Sequence, residues 1–478
     1  MPGCAADGSG RCGRLFLFAI AAFFLLADFV APWSSVLRVF FVRPLLRPRL
    51  HAHRELLNAA PKRVGPPRLR RRVQESMQLK PQWSDLEAEL TKTSPTEPAP
   101  ALTLYRDTNG WCPFCERVWL GLHKKGIPYN EVLINLYDKP QWYKDMVPTT
   151  LVPAVKFAES GEIVWESEEI LRQLDARFPE APPLYADPER VKAAVALTTD
   201  VVNASMGISY RTGNMTEEGI QRQRQVLIAA IDKLDFHLER EGPFLAGKEV
   251  TAADCTAVPM LERFQFQMPL FAAAIELRDA ERWPALARWY DTMKALPAYQ
   301  DRVAGDEYSW TAVSPVLMRL FGSQNGTLPK AAEARAHAAE AVAKQVLAVT
   351  EARARTAVSS PRAARLEAAA KLISNRAAVV ADVVNTEPKS QKELQRLPPS
   401  KEAVVEATLR EIASALMSGC PPQPPECDHT GTPCDVADVA AICRFVAARL
   451  CAPRDMGAPA ADALRRTLFI LAHAAEQA

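Results

Sequence analysis

Charge of one sign is the first thing this sequence has little of: 58 basic and 56 acidic side chains leave a formal charge of +2 over 478 residues. Nothing in that balance calls for a nucleic-acid partner. Long apolar runs are scarce too. The stretch "LFLFAIAAFFLLA", residues 15 to 27, is thirteen residues, short of the ~20 that cross a bilayer as a helix. The ten cysteines are far too thinly spread for a small disulfide-stapled secreted domain. No convincing internal repeat is present, which argues against a solenoid. A chain of this length exceeds one compact core and suggests two to four domains.

The N-terminus departs from this even composition. The apolar run follows Arg11 and Arg14 and suits a signal-peptide core. Extended through "FVAPWSSVL" it becomes a marginal anchor interrupted by Asp28 and Pro32, and no small-x-small cleavage site follows. From Phe29 to Gln74 the only acid is Glu55, whereas Arg38, Arg43, Arg47, Arg49, Arg54, Lys62, Arg63, Arg68 and Arg70 to Arg72 accumulate. A secretory core followed by an acid-poor, Arg-rich stretch resembles the two-part leader that sends proteins into plastids with extra envelope membranes. The alternative is a basic segment beside a membrane anchor of the endomembrane system. Residues 1–83 are therefore expected to address or anchor the chain, and 84–101, ending in Pro, Thr and Ser, to be a linker.

Periodicity organises the remainder. "LTLYRD" (102–107), "NEVLINL" (130–136), "VPAVKF" and "EIVWES" read as strands. "CPFCERVWLGLHKKG" ends as a helix at Gly126, "PQWYKDM" is a short helix and "EEILRQLDARF" another. This βαβ then ββα order over 102–182 predicts an α+β, thioredoxin-like domain. Residues 188–310 turn wholly helical, with runs near 189–206, 217–241, 252–266 and 281–296. Ala-rich residues 330–385 read as a helical hairpin, 386–402 as a second linker, and 403–478 as a helical C-terminal extension.

The chemistry concentrates in "NGWCPFCERVWLGLHKKGIPY" (109–129). A C-x-x-C pair is read as a zinc clip, a staple or a redox centre. Zinc needs further ligands, and no further cysteine follows the pair until Cys255. A two-residue loop constrains the unfolded chain too little for a staple to matter. Cys112 before a helix, with Pro113 in its first turn, places a sulfur beside unpaired backbone N–H groups and the positive end of the helix dipole, which favours the thiolate. Cys115, one turn on, is placed to attack a mixed disulfide at Cys112. The pattern points to redox chemistry.

"WCPFCERVWL", "INLYDKPQWY", "TTLVPAV", "EIVWESEEIL" and "FLAGKEVTAADCTAVP", in this order, resemble the cysteine-type glutathione S-transferases. The resemblance covers about 102–310 and includes the omega, lambda and dehydroascorbate reductase classes. It is greatest to the iota class, which shares CPFC. It implies an all-α transferase domain after the first, glutathione as cosubstrate, and Cys112 facing the glutathione sulfur. It also implies that Phe114 lines the site, that Val152 before a cis-Pro153 pairs with the cysteinyl part of glutathione, that Glu166 and Ser167 hold the γ-glutamyl end, and that Lys139 meets the glycine end. Thr251 and Asp254 form an S/T-x-x-D cap.

The expected activity is a glutathione-dependent thiol oxidoreductase, a thioltransferase or dehydroascorbate reductase-like enzyme acting on an oxidised small molecule or glutathionylated protein. Cys115 departs from the omega and lambda pattern and tells against conjugation. Conjugation of electrophiles, and a non-catalytic scaffold recruiting partners through 330–478, are the alternatives. A homodimer is compatible with either. Glu116 and Arg117 read as structural, and Tyr210 and Arg211 as packing residues more than co-substrate contacts. Cys420, Cys427, His429 and Cys434 in "CPPQPPECDHTGTPC" offer zinc ligands, but their spacing favours plain thiols or one disulfide, and no metal is expected.

Overall fold

The computed structural model describes residues 81–93, 98–210, 215–271, 275–323, 327–354, 360–384, 396–426 and 433–478. The leader, Arg211, Cys427, His429 and most of the second linker lie outside them.

The α+β domain is built as its strand patterns predict. Strands β1 (Leu102–Asp107), β2 (Tyr129–Ile134), β3 (Ala154–Phe157) and β4 (Ile163–Trp165) form one sheet in the order β2-β1-β3-β4. β1 runs parallel to β2 and antiparallel to β3, and β4 is antiparallel to β3. Helix α2 (Pro113–Lys125) crosses from β1 to β2, which is the βαβ unit. It stops at Gly126, whose φ of 65° admits the left-handed cap that returns its N–H to the carbonyls of Leu122 and His123. Helices α3 (Gln141–Met146) and α4 (Ser167–Arg177) complete the domain.

Helices α5 (Pro188–Tyr210), α6 (Glu217–Glu241), α7 (Ala252–Phe271), α8 (Pro284–Lys294) and α9 (Pro297–Gln300) follow. Their apolar faces share one continuous core with α2, α4 and the inner face of the sheet. Two all-helical layers therefore stand on one face of a thioredoxin-like sheet, the architecture that the pattern of elements predicts.

The structure differs from the sequence reading in three places. Helix α10 (Glu307–Gly322) had no counterpart in it. Its Pro315 and mixed composition hide the period, while Asp306 caps its N-terminus by accepting from the Ser309 N–H at 2.7 Å. The expected hairpin over 330–385 is not one: α11 (Lys330–Ala354) lies along α10, and α12 (Arg362–Val383) lies along α13 (Glu402–Ser418). Alanine faces pack against whichever helix approaches closely, so chain proximity does not choose the partner. The stretch read as a linker opens instead with helix α1 (Trp83–Thr93). Leu86 of α1 is buried in the second core, made with α12, α13, α14 (Val436–Arg449) and α15 (Ala458–Gln477). Trp83 donates its Nε1–H to Glu406 at 2.7 Å, and Arg376 pairs with Glu87 at 2.7 Å. With three apolar side chains on a charged helix, the amphipathic signal of α1 was too thin to compete with the Pro/Thr tail behind it.

The second core is joined to the first by the segment 449–457. Tyr308 donates to the Ala448 carbonyl at 2.7 Å, and the Ala452 N–H donates to Ser309 Oγ at 2.9 Å. Arg302 reaches the Pro453 carbonyl, and buried Arg465 ties Asp306 to the Leu450 carbonyl. Gly457 is wedged against the backbone of α9's end: a Cβ there would meet the Asp301 carbonyl oxygen at 1.8 Å. Among the described residues no helix is long and apolar enough to cross a membrane.

Gly457→Ala should therefore force the two cores apart. Overpacking of this kind costs about 1–3 kcal/mol, more where backbone is the obstacle. Thermal unfolding of the full chain should start several degrees lower, and an unchanged transition would show that this contact does not join the cores.

Candidate active site

The register of the sheet decides where the chemistry sits. Asp107 at the end of β1 pairs with Ile134 at the end of β2, and Tyr105 pairs with Ala154 at the start of β3. Ala154 also pairs with Trp165, the last residue of β4. The carboxyl ends of β1, β2 and β4 and the amino end of β3 therefore lie at one edge. Cys112 follows β1, Lys139 follows β2, Val152 and Pro153 precede β3, and Glu166 and Ser167 follow β4. Residues spread over fifty-five positions are gathered at one end of the sheet by strand direction alone.

Cys112 is the N-cap of α2, with Pro113 in the first turn, and its side chain makes no capping hydrogen bond. It is buried at 4% exposure and Cys115 at 1%. Both are free thiols. Burial, then the adjacent Cys112 and the charge of Asp107, push the Cys115 thiol well up, opposed by the Asp107 backbone N–H. Phe114 is half-buried beneath the Arg117 guanidinium, 4.7 Å from its ring. Arg117 makes no hydrogen bond through Nε; burial lowers it to about 10, and the charge of Cys112 acts in the opposite sense.

The Val152–Pro153 peptide bond is cis. Buried Tyr143 holds the approach to it by donating to the Leu151 carbonyl at 2.6 Å, and Thr150 sits at a φ of 55°. At the end of β4, Glu166 adopts a φ of 68° as the N-cap of α4, a conformation that costs a non-glycine residue of order 1 kcal/mol or more. Glu166 is exposed and Ser167 buried at 6%. Lys139 is half-buried.

Thr251 and Asp254 lie apart from this edge. Asp254 is fully buried and accepts from the N–H and hydroxyl of Thr251, from the Leu245 N–H and from Trp289 Nε1, all within 3.1 Å. The pair caps α7 and fixes the loop before it. Tyr210 donates to Gln267 at 2.8 Å and meets Phe321 edge to face within the helical body. Cys420 is exposed and Cys434 half-buried.

Two elements of the site escaped the sequence reading. Asp107 was read only as the end of a strand. Its Oδ2 accepts from the N–H groups of Trp111 at 2.8 Å and Cys112 at 3.2 Å, so it shapes the turn that leads into α2. One side-chain ligand atom from each of Asp107, Cys112 and Cys115 lies within 4.8 Å of the other two. An acid five residues before the N-cap cysteine was the available signal. Arg263 on α7 pairs with buried Glu116 at 2.7 Å, donates to the Trp111 carbonyl at 3.0 Å and stacks on Trp310 of α10. Reading Glu116 as structural did not name its partner, because that partner lies 147 residues away.

Comparison with known proteins agrees with this geometry. Residues 111–177 match the family model "Glutathione S-transferase, N-terminal domain", and residues 217–292 match "Glutathione S-transferase, C-terminal domain". Glutathione S-transferase DHAR2 of Arabidopsis thaliana is 34% identical over 156 residues, 32% of this chain and 68% of that protein. This chain belongs to the glutathione S-transferases. The probable glutathione S-transferase DHAR4 of the same plant is 31% identical, over 44% of this chain and 93% of its own length. Glutathione S-transferase DHAR3, chloroplastic, also from Arabidopsis thaliana, is 32% identical over 32% of this chain, a match that spans only about half, 54%, of that protein. The family models leave both α1 and the helices from residue 330 on, which build the second core, outside the matched domains.

In this transferase the Glu116–Arg263 pair connects the two family domains directly behind Cys112. Arg263→Ala leaves a carboxylate buried and unpaired, which costs about 3–5 kcal/mol. The double change Glu116→Leu with Arg263→Met should recover part of that loss in thermal or urea unfolding. A double variant as unstable as Arg263→Ala alone would contradict the assignment.

Proposed function

We propose that this transferase is a glutathione-dependent thiol oxidoreductase in which Cys112 carries the glutathionyl group. The observation that carries the proposal is a free thiol at the N-terminus of α2 with a second thiol sulfur within 4.8 Å, facing the edge where a cis-proline and the first turn of α4 converge. A serine or tyrosine hydroxyl at such a place would activate bound glutathione for conjugation, whereas a thiolate exchanges with it. Val152 pairs with the cysteinyl part of glutathione, Ser167 and the amides of α4 take the γ-glutamyl carboxylate, Lys139 takes the glycine end and Phe114 lines the cleft.

The Cys112 thiolate attacks the glutathionyl sulfur of a substrate R–S–S–G. A Cys112–glutathione disulfide forms as R–S⁻ leaves and takes a proton from solvent. A second glutathione thiolate attacks the glutathionyl sulfur, giving glutathione disulfide and restoring Cys112. On the dithiol route the Cys115 thiolate displaces glutathione instead, and two glutathiones then reduce the Cys112–Cys115 disulfide. Because burial holds the Cys115 thiol high, this second route gains relative to the first as pH rises. Dehydroascorbate is a further oxidant of the class such a site reduces.

The leader, taken with the chloroplastic name of one relative, supports plastid delivery; a fluorescent fusion of residues 1–83 confined to the cytosol would contradict this.

Cys112→Ser should abolish turnover of a glutathionylated peptide, at least ~100-fold below wild type, since a hydroxyl forms no mixed disulfide. Cys115→Ser should retain most of it through the monothiol route and lose reduction of protein disulfides. Turnover of a chlorinated aromatic alone, or a fully active Cys112→Ser protein, would overturn the reading.

A further inference from the structure

Asp107 is a third donor beside the two cysteines: one ligand atom from each of the three lies within 4.8 Å of the others, and Asp107 is 1% exposed. Its role in shaping the Trp111–Cys112 turn occupies Oδ2 alone. The other oxygen, Oδ1, is buried and makes no hydrogen bond. An orphaned buried carboxylate oxygen calls for a compensating group. The neighbouring arginines do not provide one: Arg106 is taken up by Glu131 and the Asp107 backbone carbonyl, and Arg263 by Glu116 and the carbonyls of Trp111 and Pro259.

We propose that Asp107, Cys112 and Cys115 form a binding site for a borderline-soft divalent cation of the Zn²⁺ class, occupied only when both cysteines are reduced. Two thiolates and one carboxylate make an S₂O donor set with the softness zinc and cadmium select, and leave a fourth position open to water or an incoming thiol. The spacing suits this. Zinc–sulfur bonds of about 2.3 Å at tetrahedral angles put two sulfurs roughly 3.8 Å apart, so a set already within 4.8 Å closes by small side-chain rotations. Burial of all three donors excludes the water that competes for the ion at exposed acidic clusters.

Loading is a proton exchange: the metal bonds to both sulfurs as the two thiol protons pass to solvent, and nothing is oxidised or reduced. Oxidation to a Cys112–Cys115 disulfide removes both thiolates and so expels the ion. A bound cation in turn ties up the nucleophile. The site thus couples thiol chemistry to free zinc. The binding claim itself does not rest on the proposed reaction.

The test uses the full chain, reduced and kept free of oxygen, titrated with Cd²⁺ while the ultraviolet cadmium–thiolate charge-transfer band is recorded, with Zn²⁺ as competitor. One equivalent is expected at the site, none in protein oxidised with glutathione disulfide, and no change when Cys420, Cys427 and Cys434 are all replaced by serine. Cys112→Ser and Cys115→Ser should each remove this equivalent. Asp107→Asn keeps an acceptor oxygen for the two turn amides, yet should weaken binding at least ~10-fold. Wild-type affinity in Asp107→Asn, cadmium that stays bound without Cys112 or Cys115, or no cadmium bound by the reduced chain would each overturn the assignment. Because the readout is binding, a chain that loads cadmium but transfers no thiol would refute the proposed function and leave this site standing.

Discussion

The guanidinium of Arg263 is the point on which the active edge depends. From the middle of α7 it pairs with Glu116 on α2, holds the carbonyl of the residue before Cys112, is buried from solvent, and lies 4.2 Å over the Trp310 ring of α10. Three chain segments far apart in sequence are thereby fixed around one buried cation. A buried ion pair is weak evidence for stability, because desolvation offsets most of its attraction. Its value here is geometric: neither charge has another place to go, so α2 has one permitted position on the helical body.

A second constraint acts from the other side. The segment 449–457 presses Arg454 against Gly110, with backbone atoms 3.3 Å from where a side chain would begin, and the Arg302 that reaches Pro453 also covers the Trp119 ring of α2. The added second core is therefore not an appendage on a flexible tether. It packs against the loop that leads into Cys112 and against the start of α10. This arrangement packs the described part of residues 449–457 against the loop before Cys112.

Much of this was legible in the sequence for a physical reason. Strand alternation, the Pro113 first turn and the Gly126 cap are local signals, so the thioredoxin-like domain could be read directly, and the CPFC, cis-proline and Glu-Ser segments stand at family spacing, so the candidate positions gathered at one end of the sheet could be named. What could not be read depends on distance. Nothing around Glu116 names Arg263, and nothing in the alanine-rich stretches says which helix each will meet. Helix α1 lost to the Pro/Thr tail beside it, and Asp107 looked like an ordinary strand end because its partners, two backbone amides, are invisible in a sequence.

The central claim is that Cys112 carries the glutathionyl group. The direct measurement is peptide mapping by mass spectrometry of the Cys115→Ser protein after brief exposure to glutathione disulfide. The account predicts one glutathionyl adduct on the peptide containing Cys112, removed by added glutathione. An adduct confined to Cys420, Cys434 or another cysteine, with Cys112 unmodified, would contradict it.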